Sequence, residues 1–267
     1  MATELARIPF DGRQIDIEFA WLRAERTERP LVVFLHEGLG SVSMWRDYPR
    51  QLCEAGDLRG LVLSRYGYGQ STPRPHDEKW GVDFMHRQAR EALPALFDAL
   101  EIGAGRRHGV PWLFGHSDGG SIALICAASA PAMVAGLIVL APHIVVEDVS
   151  VRSIAATRDL YRQTDLRARL ARHHADVDSA FWGWNDIWLD PAFRAWDLRP
   201  LLADLRCPVL AVQGEDDEYG TMAQIEGIHR YAPHAALLKL ARCGHSPHRD
   251  QPERLTEAAV AFISTHT

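Results

Sequence analysis

A chain of 267 residues that is 47% hydrophobic and 24% charged has the composition of a globular protein with a sizeable core. Its formal net charge of −6 and the absence of any Lys or Arg run argue against nucleic acid or an anionic membrane as partner. Cys53, Cys126, Cys207 and Cys243 match no zinc spacing and the first residues carry no apolar signal stretch, so reduced thiols and a cytoplasmic location are expected.

The first predicted elements are two alternating segments, ELARIPF and RQIDIEFAWL, flanking Asp11-Gly12, which is a hairpin signal. Short apolar runs bounded by Gly or Pro follow at 30–38, 60–67, 111–117, 136–142, 207–215 and 235–244. Continuous apolar character predicts strands buried on both faces, as in a parallel sheet. Helical stretches such as 83–102 and 121–131 alternate with these strands. The expected fold class is therefore α/β, with eight strands in a mostly parallel sheet and helices on both faces. The most apolar segment, 133–146, is too short to span a bilayer and contains Pro142 and His143.

More than 60 residues separate the strands predicted at 136–142 and 207–213, far more than one crossover helix needs. Helical periodicity around 151–173, followed by the aromatic stretch AFWGWNDIWLDPAFRAW, predicts a helical cap over residues 143–200. The core is then residues 1–142 with 201–267, and the cap covers the strand ends where open α/β sheets bind ligands.

The segment LFGHSDGG (113–120) holds two possible nucleophiles, Ser117 and Asp118. A sharp strand-to-helix turn strains its central residue and needs very small neighbours two positions away on each side. Ser117 at the centre has Gly115 and Gly119 as those neighbours; Asp118 would have His116, which is too large. Ser117 is the expected nucleophile. A serine hydroxyl requires a base, held in turn by a carboxylate. An acid candidate follows a strand in GEDDEYG, and a base candidate follows the last strand in CGHSPHRDQPE, in the order Ser, Asp, His.

The elbow, the GEDD turn and GHSPHRDQPERL together resemble the α/β-hydrolase superfamily with a helical cap, over nearly the whole chain. The resemblance implies Asp217 as the acid, with Asp216 its nearest rival, His245 as the base and His248 in a supporting part. It also implies an oxyanion hole made by the N–H of Asp118 and, through HEGLGS aligned on His36, the N–H of Gly38. Glu37 departs from that pattern, where relatives usually have Gly, and its side chain is expected to point away. SDGG is similar to the elbow of biphenyl-hydrolase-like enzymes acting on amino-acid esters, in which this acid contacts a substrate ammonium. Asp118 thus has two readings, a substrate contact or a helix-dipole partner.

Trp182 and Trp184 are candidate substrate contacts, whereas Trp188 and Trp196 read as core, Cys243 as packing and His173-His174 as surface residues. HEGLG lacks the second histidine of a zinc helix and the third glycine of a dinucleotide loop, so no metal or organic cofactor is implied. The expected activity is serine hydrolysis of a small carboxylic ester, lactone or thioester, with an apolar or aromatic small molecule as substrate. The chain is compatible with a monomer or a homo-oligomer. Two alternatives stand beside this: hydrolysis of a carbon–carbon bond in aromatic ring-fission products, or a ligand receptor on the same fold. Carbon–carbon hydrolases usually have Asn before the serine and a hydrophobic residue after it, where this chain has His116 and Asp118.

Overall fold

A computed structural model describes residues 2–267. Strands Glu4–Phe10 (β1) and Arg13–Leu22 (β2) pair antiparallel, with Glu4 opposite Phe19 and Phe10 opposite Arg13. The turn residues Asp11 and Gly12 both have positive φ, 52° and 71°, as a two-residue hairpin connection requires. Leu31–Leu35 (β3), Arg59–Leu63 (β4), Trp112–His116 (β5), Gly136–Leu140 (β6), Val209–Gly214 (β7) and Ala236–Leu240 (β8) complete one sheet in the order β1-β2-β4-β3-β5-β6-β7-β8. β2 meets β4 antiparallel, and every later pairing is parallel.

Every residue of β3 to β7 is buried, which is why these segments read as unbroken apolar runs. Alternate side chains feed two separate cores. Leu31, Val33 and Leu35 join the helices Phe84–Ala99 and Asp118–Ser129 on one face. Val32 and Phe34 join Tyr48–Ala55 and Pro252–His266 on the other. Helix Asp118–Ser129 is buried on all sides from Asp118 to Ala128, as its lack of a polar face demands. The run Phe84–Ala99 carries a π turn over Gln88–Ala92, next to Pro94, which has no N–H to give the preceding turn. All four cysteines are free and buried. No helix among the described residues is long and apolar enough to cross a membrane.

Between β6 and β7 lie helices Asp148–Gln163, Leu166–Leu170 and Val177–Leu189. The periodicity expected at 151–173 is thus two helices, separated where Thr164 turns to extended backbone. Asp176 caps the third by accepting from the Ser179 N–H at 2.9 Å. The two ends of the insert meet in an isolated bridge between Val145 and Asp197. One expectation fails here. His174 is buried, accepting from the Gly69 N–H and donating to the Leu39 carbonyl, each at 3.0 Å. Its neighbour His173 bonds Ser43 at 2.8 Å. The pair fastens the insert to the loops after β3 and β4, a contact that local sequence does not encode.

Candidate active site

The loops leaving β3, β5, β7 and β8 converge at the carboxyl edge of the sheet. β5 runs into Ser117, whose backbone sits at φ 53° and ψ −119°, a costly conformation for a residue with a Cβ. Its N–H is held by the Leu140 carbonyl at 2.8 Å. A Cβ on residue 115 would overlap the Gly119 carbonyl, and one on residue 119 would overlap the Leu35 carbonyl. Both flanking glycines are therefore steric requirements of the turn.

Ser117 Oγ lies 3.0 Å from His245 Nε2, and His245 Nδ1 lies 2.8 and 3.0 Å from the two carboxylate oxygens of Asp217. The carboxylate beside Nδ1 keeps the proton there, leaving the Nε2 lone pair for the serine hydroxyl. The Asp217 side chain is only 1% exposed and takes three further donors. These are the N–H groups of Tyr219 (2.8 Å) and Gly220 (3.2 Å) and the Gln213 amide (2.7 Å). Burial alone would raise the Asp217 carboxyl, but the hydrogen bond and charge of His245, with the Tyr219 N–H, hold it below the ordinary range. The rival Asp216 is exposed to solvent.

The backbone of His245 is clamped as well. Its N–H donates to Glu218 at 3.1 Å, and its carbonyl accepts from His116 Nε2 at 2.7 Å. The other face of His116 meets Glu37 at 3.6 Å, and Arg249 meets the same carboxylate at 3.6 Å. Burial would raise the Glu37 carboxyl, but His116 and Arg249 outweigh it and hold it well below its ordinary value. Glu37 thus faces His116 and Arg249, and packs so tightly on Gly40 that a Cβ there would overlap its carboxylate. His248 packs against Trp45, Tyr48 and His116, and burial lowers its pKa well below the ordinary value.

The Glu37 carbonyl accepts from His36 Nδ1 (2.6 Å), Arg65 (2.9 Å) and the Gly40 N–H (3.1 Å). In a trans peptide the N–H points opposite the carbonyl, so the Gly38 N–H is directed away from these donors. His36 accepts the Arg65 N–H on Nε2 at 2.9 Å, and burial keeps the ring neutral. Asp118 opens helix Asp118–Ser129, where N–H groups have no partner within the helix. Gly38, Ser117 and Asp118 border one cavity of about 140 Å³.

The insert supplies the roof. Ile154 and Thr157 come from one of its helices and Trp184 and Trp188 from another. Trp188, expected in the core, is buried yet donates its indole N–H to Asp118 at 3.2 Å. Trp182 does not line this cavity; it borders a separate surface groove with Arg74, Trp80 and Asp186. Two residues along a helix turn through about 200°, so Trp182 and Trp184 face opposite ways. Asp118 is 1% exposed, with Arg65 at 3.7 Å. Burial raises its carboxyl, opposed by Arg65 and Trp188. Sequence reasoning missed His116, whose partner His245 lies 129 residues away, and Gln213 and Tyr219, whose contacts with Asp217 are near in sequence but depend on how the turn after β7 folds.

Comparison with known proteins agrees with this architecture. A model of the alpha/beta hydrolase family matches residues 32–258. The serine hydrolase BPHL of Homo sapiens is 27% identical over 203 residues, 74% of this chain and 66% of the relative. Its Mus musculus counterpart is 29% identical over 157 residues, 57% of this chain and 50% of the relative. The chain thus spans between half and two thirds of these relatives. Among solved structures, an esterase from Thermogutta terrifontis superposes with a TM-score of 0.74 at 20% identity, covering 100% of both chains. An enol-lactonase from Burkholderia xenovorans LB400 gives 0.74 at 19% identity, covering 97% of this chain and 99% of its own. At such identity these two likenesses concern the fold. With the family match spanning most of its length, the chain belongs to the alpha/beta hydrolase family.

Proposed function

We propose that this protein is a serine hydrolase that cleaves a small carboxylic ester, lactone or thioester through an acyl-enzyme. One observation carries the reading: Ser117, His245 and Asp217 stand in line at 3.0 and 2.8 Å. In the first step Ser117 Oγ attacks the acyl carbon while His245 Nε2 takes its proton. Asp217 steadies the imidazolium. The N–H groups of Gly38 and Asp118 hold the oxyanion, each donor worth about 3 kcal/mol. His245 then protonates the leaving oxygen or sulfur, and a water activated by the same ring releases the acid.

Residues 143–200 act in this reading as a cap that closes the acyl pocket and excludes water. A cavity of about 140 Å³ is close to the roughly 150 Å³ that accepts a benzene ring, so a compact acyl group fits best. Relatives described as a serine hydrolase, an esterase and an enol-lactonase support the same reaction class. The test is a panel of p-nitrophenyl esters, amino-acid esters, lactones and a dienoic ring-fission product, assayed with wild type and Ser117→Ala. Turnover of the oxygen or sulfur esters that disappears in the variant is expected. Activity confined to the ring-fission product would replace the ester reading with carbon–carbon cleavage. A single acylation without turnover would make the protein a receptor.

A further inference from the structure

Residue 38 is a glycine for a reason beyond backbone freedom. A Cβ there would overlap the pyrrole edge of Trp184, striking the indole nitrogen first and then Cδ1 and Cε2. The N–H edge of Trp184 therefore lies directly against the peptide whose own N–H is a proposed oxyanion donor. Trp184 borders the same cavity as Ser117, Gly38 and Asp118. An indole nitrogen can only donate, and a buried one ordinarily finds an acceptor. Trp188, one turn along the helix, places its N–H on Asp118. Trp184 as a residue is 6% exposed, but its N–H is not one of the enclosed, unpartnered polar atoms; with no acceptor among the described residues, it is left open at the cavity that Trp184 lines.

We infer that the indole N–H of Trp184 is a third donor to the substrate carbonyl oxygen, beside the N–H groups of Gly38 and Asp118. The inference rests on the ester-hydrolase reading. The side chain makes no covalent bond and moves no proton; it strengthens its hydrogen bond as the carbonyl oxygen becomes an oxyanion. Such an interaction acts mainly in the transition state, so its removal lowers kcat and kcat/KM together. A residue that merely lines the pocket would instead change KM, in proportion to acyl size. The arrangement also makes Trp184 a catalytic residue carried by the insert, so the oxyanion site is complete only with that helix in place.

The experiment compares wild type, Trp184→Phe and Ser117→Ala on p-nitrophenyl acetate and butyrate. Trp184→Phe keeps an aromatic ring and removes the donor. Expected is a fall in kcat of about 10- to 100-fold for both esters, with KM changed less than about twofold. A second measurement uses the wild-type protein. A p-nitrophenyl phosphonate forms an Oγ–P bond at Ser117 as nitrophenolate leaves and the hydroxyl proton passes to His245. The remaining tetrahedral oxygen then occupies the oxyanion position, and the Trp184 Nε1–H resonance should move downfield while that of Trp188 stays. An unchanged kcat in Trp184→Phe, a change in KM alone, or an unmoved Trp184 resonance overturns the inference. If Ser117→Ala loses turnover in those cases, the ester-hydrolase reading survives; undiminished turnover in Ser117→Ala overturns both.

Discussion

Tyr219 donates its amide N–H to the carboxylate of Asp217 over 2.8 Å, and its ring lies 4.7 Å from that of His245. The same residue reaches the insert. Its carbonyl accepts from Ser150 at 2.5 Å and from His143 at 3.2 Å, and its hydroxyl pairs with Thr157 at 3.0 Å. Ser150 and Thr157 lie on one face of helix Asp148–Gln163, seven residues apart, two turns of helix. The roof of the cavity is thereby fastened to the loop that presents the proposed acid.

Tyr219→Phe tests that fastening. The variant keeps the ring and the amide and loses only the bond to Thr157. A stability loss of about 1 kcal/mol is expected by urea unfolding, with kcat/KM reduced less than about tenfold. Ser150→Ala releases the carbonyl next to the Asp217 contacts and should lower kcat more than Tyr219→Phe does. Equal kcat in both variants and wild type would show that the insert does not position the acid.

Asp118 gives a second prediction. Its carboxylate is closed off by Arg65 and Trp188. Asp118→Ala leaves the Arg65 guanidinium buried beside an empty site, at a cost of about 3 kcal/mol in stability. Because the carboxylate is sealed, amino-bearing and neutral esters should lose kcat/KM by the same factor. A loss confined to amino-acid esters would assign Asp118 to substrate recognition.

Acid stability follows from two buried histidines. Burial lowers both His143 and His174 to about 4, against an unfolded value near 6.5. Between these limits the unfolded chain binds more protons, so stability present above the unfolded pKa is lost as pH falls towards 4. For each histidine the loss between pH 7 and pH 5 is about 2 kcal/mol. His174→Gln keeps a donor and an acceptor but cannot titrate. Urea unfolding at the two pH values should show a smaller acid loss in this variant, and an identical loss would contradict the assignment.

The elbow was legible in the sequence because its demand is local. Gly115 and Gly119 are required by carbonyls within or beside the turn, one of them from β3. A further consequence is that Gly119→Ala, with its Cβ against the Leu35 carbonyl, should cost about 3 kcal/mol and most of the activity, measured by thermal unfolding and ester turnover. The placement of His245 and Asp217 beside Ser117 was legible because each follows a strand in an ordered motif. Glu37 was noticed as a departure, but its partners His116 and Arg249 come from β5 and the short helix Pro247–Asp250, which no spacing rule connects. The tryptophans divided for a similar reason. Their number marked a pocket, but only the docking of helix Val177–Leu189 decides that Trp184 and Trp188 face Ser117 while Trp182 faces outward.

Ser117 as the nucleophile is tested most directly by a mass measurement after reaction with a fluorophosphonate. One adduct per chain is predicted, on the peptide containing Ser117, with fluoride lost and none formed in Ser117→Ala. Labelling should also slow strongly in His245→Ala, which lacks the proposed base. An adduct on any other residue, or equal labelling of the Ser117→Ala protein, would contradict the account.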